Sequence, residues 1–404
     1  MIMNSEKKSF PRMNFYEALL LFLFTASFFF TAALNIGSVD FEGIGANVVR
    51  FQIHNGIFIL MTLYLVFVCK KFFSITIPSF WLFAFFLYSM SLLLFYVPEF
   101  GLNTNILNIT YALAVVIIIY NLYRDFDMQQ MIAVIGIAFI FALIACVINM
   151  ILQANQFISY IRAGGGDHPS VRVFTGGGGN VESTLLGIYA LFVMHKKYGM
   201  FIWTVTFLIS CLHASRTGFI VNILVLAWYL VYVRDVMRHI SVKKILITFI
   251  ALSAVIYFCI DTPVGQIVIN RFVKTGEEVG SVDRLVRWTS ALEVMQKYPF
   301  GVGAGNSMQA VKIVTGYGSG GSNLHNIFIA YAVDEGFVAG SLFLLCGVLW
   351  VLKRELKIRF QDPFGAYMLI YFAQGLFQSR GFDVFGAASL GFYFISRRRD
   401  RLPA

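Results

Sequence analysis

Long apolar runs alternate with short polar connections along the chain, and this pattern fixes the fold class before any motif is considered. The runs fall near 15–37, 56–69, 79–97, 104–121, 131–152, 184–195, 199–213, 217–233, 244–262, 326–352, 363–378 and 382–396. Each is of helical length or nearly so, and a helix needs about 20 apolar residues to cross a hydrocarbon layer of ~30 Å. The pattern predicts an all-α polytopic membrane protein with about 12 transmembrane helices, residues 1–404 forming a single membrane domain. Two connections break the rhythm: 153–183, with four glycines in succession at 176–179, and 263–324. Connections of that length are usually functional or disordered. Within the second, Leu285, Trp288, Leu292 and Met295 recur at spacings of three and four while Arg284, Arg287, Glu293 and Lys297 take other faces. That spacing predicts an amphipathic helix over 284–298 lying on the outer leaflet. Pro299 and the glycines at 301, 303 and 305 end it and allow a tight turn closing at Asn306.

Composition agrees: 58% hydrophobic and 13% charged residues, with mean hydropathy +0.75, against about 25% charged residues in soluble domains. An ordinary cytosolic enzyme is excluded. The formal net charge of +10 first reports orientation in a membrane protein, not nucleic acid. With the N-terminus inside, the even-numbered connections and the termini hold twenty of the 31 basic residues, among them Lys71, Arg124, Lys196, Arg354 and Arg398. The first run continues to about Ile36 without a small-residue cleavage site and reads as a retained first span rather than a signal peptide. The five cysteines show no close pair and no CxxC spacing, so neither a disulfide framework nor a zinc site is expected.

The other eleven basic residues fall at outer positions despite that bias, and three groups carry candidate chemistry. Ser215-Arg216-Thr217-Gly218 forms a very short outer turn. A guanidinium so close to hydrocarbon is costly unless paired or facing a wet cavity, the plainer alternative being a snorkelling arginine. Arg284 and Arg287 share the amphipathic helix, where attraction to anionic headgroups is the plain alternative. His325-Asn326 opens an apolar helix that contains Asp334, Glu335 and Gly336. A histidine at a helix end is more often structural than catalytic, but a neutral imidazole at an outer mouth accepts a proton near pH 7. Asp334 and Glu335 are expected to meet an arginine or polar group within the bundle, as a structural pair or a functional one. Outward guanidinium groups at the membrane surface suit a lipid-borne diphosphate, which arginine matches bidentately. A nearby base and cations that stabilise a departing diphosphate describe glycosyl or phosphoryl transfer without ATP. Asp125-Phe126-Asp127 imitates a metal-nucleotide motif but has no soluble domain around it, and the glycine run lacks a following Gly-Lys-Ser/Thr, so it reads as a flexible loop.

Three motifs together resemble the family of bacterial O-antigen ligases and of O-antigen or capsular polysaccharide polymerases. They are Ser215-Arg216-Thr217-Gly218; Arg284-x-x-x-Trp288 running through Pro299 to Gly301-Val302-Gly303-Ala304-Gly305-Asn306; and His325-Asn326 followed by Glu335-Gly336, with coverage best over 205–345. The resemblance implies metal-independent, inverting glycosyl transfer, without a cofactor, from an undecaprenyl-diphosphate-linked donor at the periplasmic face of the inner membrane. By the same implication Arg216 and Arg284 hold the donor diphosphate and His325 serves the acceptor hydroxyl. Arg172 stands loosely where such polymerases place another arginine. Arg287 and Arg380 join by position and charge, and Asn326 and Glu335 complete the candidate substrate-binding set. The expected partners are the lipid-linked donor, a lipid-linked or lipid A-core acceptor, membrane lipids and other polysaccharide assembly proteins, and no nucleic acid. Polymerase is preferred to ligase because the first half shows no feature tied to a lipid A-core platform. A lipid-linked oligosaccharide flippase is the rival class, although flippases need charge in the bundle core; a scaffold, for which no single outer arginine matters, is a third.

Overall fold

A computed structural model of the chain describes residues 11–31, 35–39, 49–71, 74–100, 105–163, 171–175, 178–230, 257, 261–273, 279–317, 324–358, 362–378 and 383–399. Most of the expected ninth span, and Arg380, lie outside these residues. The helix Met128–Leu152 shows what surrounds the fold. Asp127 caps it, accepting the Gln129 N–H at 3.4 Å. Ile135, Ala138, Ala142 and Cys146 are buried against neighbouring helices, while Ile137, Phe141, Ile144, Ile148 and Ile151 form an exposed stripe at spacings of four and three. Water would demand charge on such a stripe, whereas lipid accepts it. This helix and Phe337–Lys357 are long and apolar enough to cross a membrane, and six shorter apolar helices accompany them among the described residues.

In chain order the elements are α1 (Phe15–Ser27), β1 (Asn35–Val39), β2 (Val49–Gln52), α2 (Ile53–Leu63), α3 (Phe80–Phe95), the single turn α4 (Val97–Phe100), α5 (Asn105–Tyr123), α6 (Met128–Leu152) and α7 (Ala154–Arg162). They continue with α8 (Gly178–Tyr189), α9 (Gly199–Leu212), α10 (Arg216–Trp228), α11 (Pro263–Val273), α12 (Val279–Lys297), α13 (Ser307–Thr315), α14 (Ile327–Asp334), α15 (Phe337–Lys357), α16 (Pro363–Gln378) and α17 (Val384–Arg399). The all-α expectation is corrected at one place. The first apolar run stays helical only to Ser27, and Asn35–Val39, rich in poor helix formers, pairs antiparallel with Val49–Gln52. The glycine run is corrected too, because Gly178 and Gly179 begin α8.

Residues expected on the inner side gather at one end. Asp125 meets Lys71 at 3.5 Å and Arg398 at 3.1 Å. Two residues away on α17, Ser396 accepts from Arg354 at 2.7 Å, and Arg354 also bonds Glu355 and Asp362. Both aspartates of Asp125-Phe126-Asp127 therefore have structural work, one in an ion-pair cluster and one as a helix cap.

The other end is built around a turn that dips between helices. The tenth apolar run does not form one helix: it breaks at Glu335-Gly336 into α14 and α15. Into the break fits the turn Gly301–Asn306. Val302 N–H donates to the Val333 carbonyl at 3.1 Å and Gly303 N–H to the Asp334 carbonyl at 2.8 Å. The Asp334 carboxylate accepts the Gly305 and Ser307 N–H groups at 2.8 and 2.9 Å, satisfying donors at the start of α13. The Tyr88 hydroxyl reaches the Phe300 and Glu335 carbonyls at 2.8 and 3.0 Å. Tyr88 lies seven residues inside the end of α3, so the turn enters about 10 Å below that end. Irregular backbone at such depth requires protein around it and every polar group paired, and Val302, Ala304 and Asn306 are at most 4% exposed. A small second core of Phe100, Ala291, Val294, Tyr298, Val311, Leu324 and Val333 joins this turn to α12, α13 and α14.

Candidate active site

Helix α12 forms where the spacing places it, and the structure shows which side faces the protein. Arg287, Ser290, Ala291 and Val294 are buried, whereas Leu285 and Leu292 are exposed. Small side chains let α13 and α14 approach, and two leucines of the expected apolar face turn outward. Trp288 is the link to the third motif: its Nε1–H donates to the Leu324 carbonyl at 2.8 Å. Arg284 sits one helical turn before Trp288 on the same side of α12 and is half-buried. His325 itself adopts φ +55°, a left-handed conformation that costs a non-glycine residue about 1 kcal/mol. It is held there from both sides. Trp288 fixes the preceding carbonyl, and the following Asn326 caps α14 by accepting the Phe328 and Ile329 N–H groups at 2.9 and 3.1 Å. Strain maintained in this way is typical of functional positions. Replacing Trp288 with Phe keeps the ring and removes the donor. Transfer is expected to fall about tenfold for a displaced catalytic group, with a stability loss of about 1 kcal/mol; parallel activity and thermal-melt measurements check this.

The other candidates are placed as follows. Arg287 is 5% exposed and pairs with Asp283, which also accepts from the Tyr317 hydroxyl. Asn326 is buried by its cap. Glu335 is 2% exposed and accepts from Ser89 Oγ at 2.8 Å. The side chain of Arg172 is exposed, and its backbone is tied to the end of α6 by Gln153 and Asn149.

Arg216 opens α10. Ser215 caps that helix, its hydroxyl accepting the Gly218 N–H at 3.0 Å. A Cβ on Gly218 would lie 2.5 Å from Ser183 Cβ, so glycine lets the start of α10 sit flush on α8. Behind it Asn222 bonds Ser210 Oγ and the Gly218 carbonyl at 2.9 and 2.8 Å. Arg216 is half-buried beside first-turn N–H groups that themselves favour an anion. Two links result: the Trp288–Leu324 hydrogen bond ties the helix of Arg284 to the segment of His325, and a second contact joins the segments that carry Arg172 and Arg216. Two residues of the second escaped the sequence reading: buried Glu182 and His213, in contact at 3.3 Å. The signal was present, since both are ionisable side chains at the edges of apolar runs.

Residues 200–344, which contain all three motifs, match the family model described as O-antigen ligase. Over that stretch the chain is similar to the O-antigen ligase family. The match spans roughly a third of the chain, and no curated protein matches it. Members of the O-antigen ligase family are membrane proteins that act as ligases or polymerases of glycans, in keeping with the lipid-facing stripe on α6. The match makes the arginine-bearing segments within it candidates for glycan transfer.

Proposed function

We propose that this protein is a repeat-unit polymerase of O-antigen, capsule or exopolysaccharide, transferring a glycan from an undecaprenyl-diphosphate-linked donor at the periplasmic face of the inner membrane. The observation that supports the reading is the Trp288–Leu324 hydrogen bond, which ties the Arg284 helix to the segment that carries His325. His325 takes the proton of the acceptor hydroxyl. The freed oxygen attacks the anomeric carbon from the face opposite the diphosphate, the carbon–oxygen bond to the diphosphate breaks, and the configuration inverts. Arg216 and Arg284, with Arg172 and Arg380, neutralise the charge on the departing diphosphate, a role that preorganised donors fill without a metal or cofactor. Arg287, Asn326 and Glu335 support the site from within the protein.

The ligase reading, with lipid A-core as acceptor, is favoured by the description of the matching family. Purified protein supplied with lipid-linked repeat units, with and without lipid A-core, separates the two. Longer lipid-linked products without core are expected. Product only when core is present makes the protein a ligase, and movement of lipid across the bilayer without transfer makes it a flippase.

A further inference from the structure

Glu182 is fully buried in the second turn of α8, and its two carboxylate oxygens serve two different segments. Oε1 meets His213 Nε2 at 3.3 Å, and Oε2 accepts the Phe174 backbone N–H at 3.2 Å. His213 follows α9 and stands three residues before Arg216; Phe174 stands two residues after Arg172. His213 has no room to drift. A Cβ on Gly179 would fall 2.6 Å from His213 Nδ1, and the Phe157 ring meets the imidazole edge-on at 5.8 Å. The adjacent residue, Ser183, is the seat of Gly218, and Arg172 is tied on its other side by Gln153 at 2.8 Å. Burying a carboxylate is costly, and packing alone is served as well by an apolar side chain. Holding two backbone segments at a fixed distance requires both oxygens.

We propose that Glu182 is a positioning residue that sets the separation of Arg172 and Arg216, so that their guanidinium groups meet the two phosphates of a polyprenyl diphosphate. This rests on the reading of those arginines as donor ligands. Two cations held at one spacing distinguish a diphosphate from a monophosphate; with the spacing released, the second contact loses its advantage to ordering entropy. Glu182→Gln keeps the length, an acceptor for Phe174 and an amide that reaches His213, so it retains the spacing.

The test is binding of undecaprenyl diphosphate and undecaprenyl monophosphate to the purified full-length chain in detergent. Wild type and Glu182→Gln are expected to prefer the diphosphate, and in Glu182→Ala that preference falls roughly tenfold. Equal weakening of both ligands, or an unchanged preference, overturns the proposal, since a merely structural loss moves both ligands together. Arg216→Ala separates the two levels. If it leaves diphosphate binding intact, the donor reading itself fails. If it weakens diphosphate binding while Glu182→Ala keeps the preference, only the positioning role fails. Should Glu182→Ala not fold, Glu182→Asp, too short to reach both partners, carries the same expected and overturning results.

Discussion

His325→Gly is expected to lower glycan transfer by about 10²- to 10⁴-fold, the usual contribution of a positioned general base, while undecaprenyl-diphosphate binding changes by less than about threefold. Glycine is the informative replacement because residue 325 sits at φ +55°. Alanine would remove the imidazole and keep the left-handed strain, whereas glycine removes the imidazole and relieves about 1 kcal/mol of it. Asn326 still caps α14 through Phe328 and Ile329, so the helix behind the site stays formed and the thermal midpoint should hold or rise. Activity lost at unchanged donor binding and unchanged stability assigns the imidazole to chemistry. Transfer that survives within about tenfold removes the imidazole from the mechanism as its base.

The comparison of sequence with structure divides along a physical line. Features set by local pattern were legible: the apolar runs, the end of α12 before Pro299, the helix opened by His325-Asn326, and the end of the bundle at which Lys71, Arg124, Arg354 and Arg398 gather. Features set by packing between distant segments were not. Hydropathy read residues 326–352 as one span because Asp334-Glu335-Gly336 is too short to interrupt an average, yet the break there receives a turn from thirty residues earlier. Periodicity set Leu285 and Leu292 on an apolar face toward the outer leaflet, but it could not show that Arg287, Ser290, Ala291 and Val294 pack against the protein. Glu182 and His213 were passed over for a related reason: each reads as an isolated polar residue at a span edge, and only the fold brings α8 against the turn after α9. The motifs thus mark candidate residues, and tertiary contacts determine how the segments that carry them are held.

The second large effect concerns the turn that makes the site possible. Gly301→Ala is expected to destabilise the protein by about 3–5 kcal/mol, combining left-handed strain with overpacking, and to lower the recovery of folded protein from membranes. Gly301 has φ +97°, and a Cβ there would stand 2.4 Å from the Gly336 N and 2.5 Å from the Asp334 carbonyl oxygen. These are backbone atoms, held by the Val302–Val333 and Gly303–Asp334 hydrogen bonds, so no flexible side chain can yield. Gly347→Ala is the internal control: it lies within α15 with nothing within 4 Å of an added Cβ, and alanine there should be neutral or stabilise by up to about 1 kcal/mol. Heating purified variants and following the folded fraction by gel filtration measures both. Gly336, at φ +93°, faces Gly301 across the same contact, its own added Cβ falling 2.6 Å from the Phe300 carbonyl carbon. If the two glycines serve one close approach, the double variant loses less than the sum of the single losses, because a docked turn can be expelled only once. Full additivity would mean that each glycine is needed for its own backbone conformation, and that the turn can leave its seat without carrying the break between α14 and α15 with it.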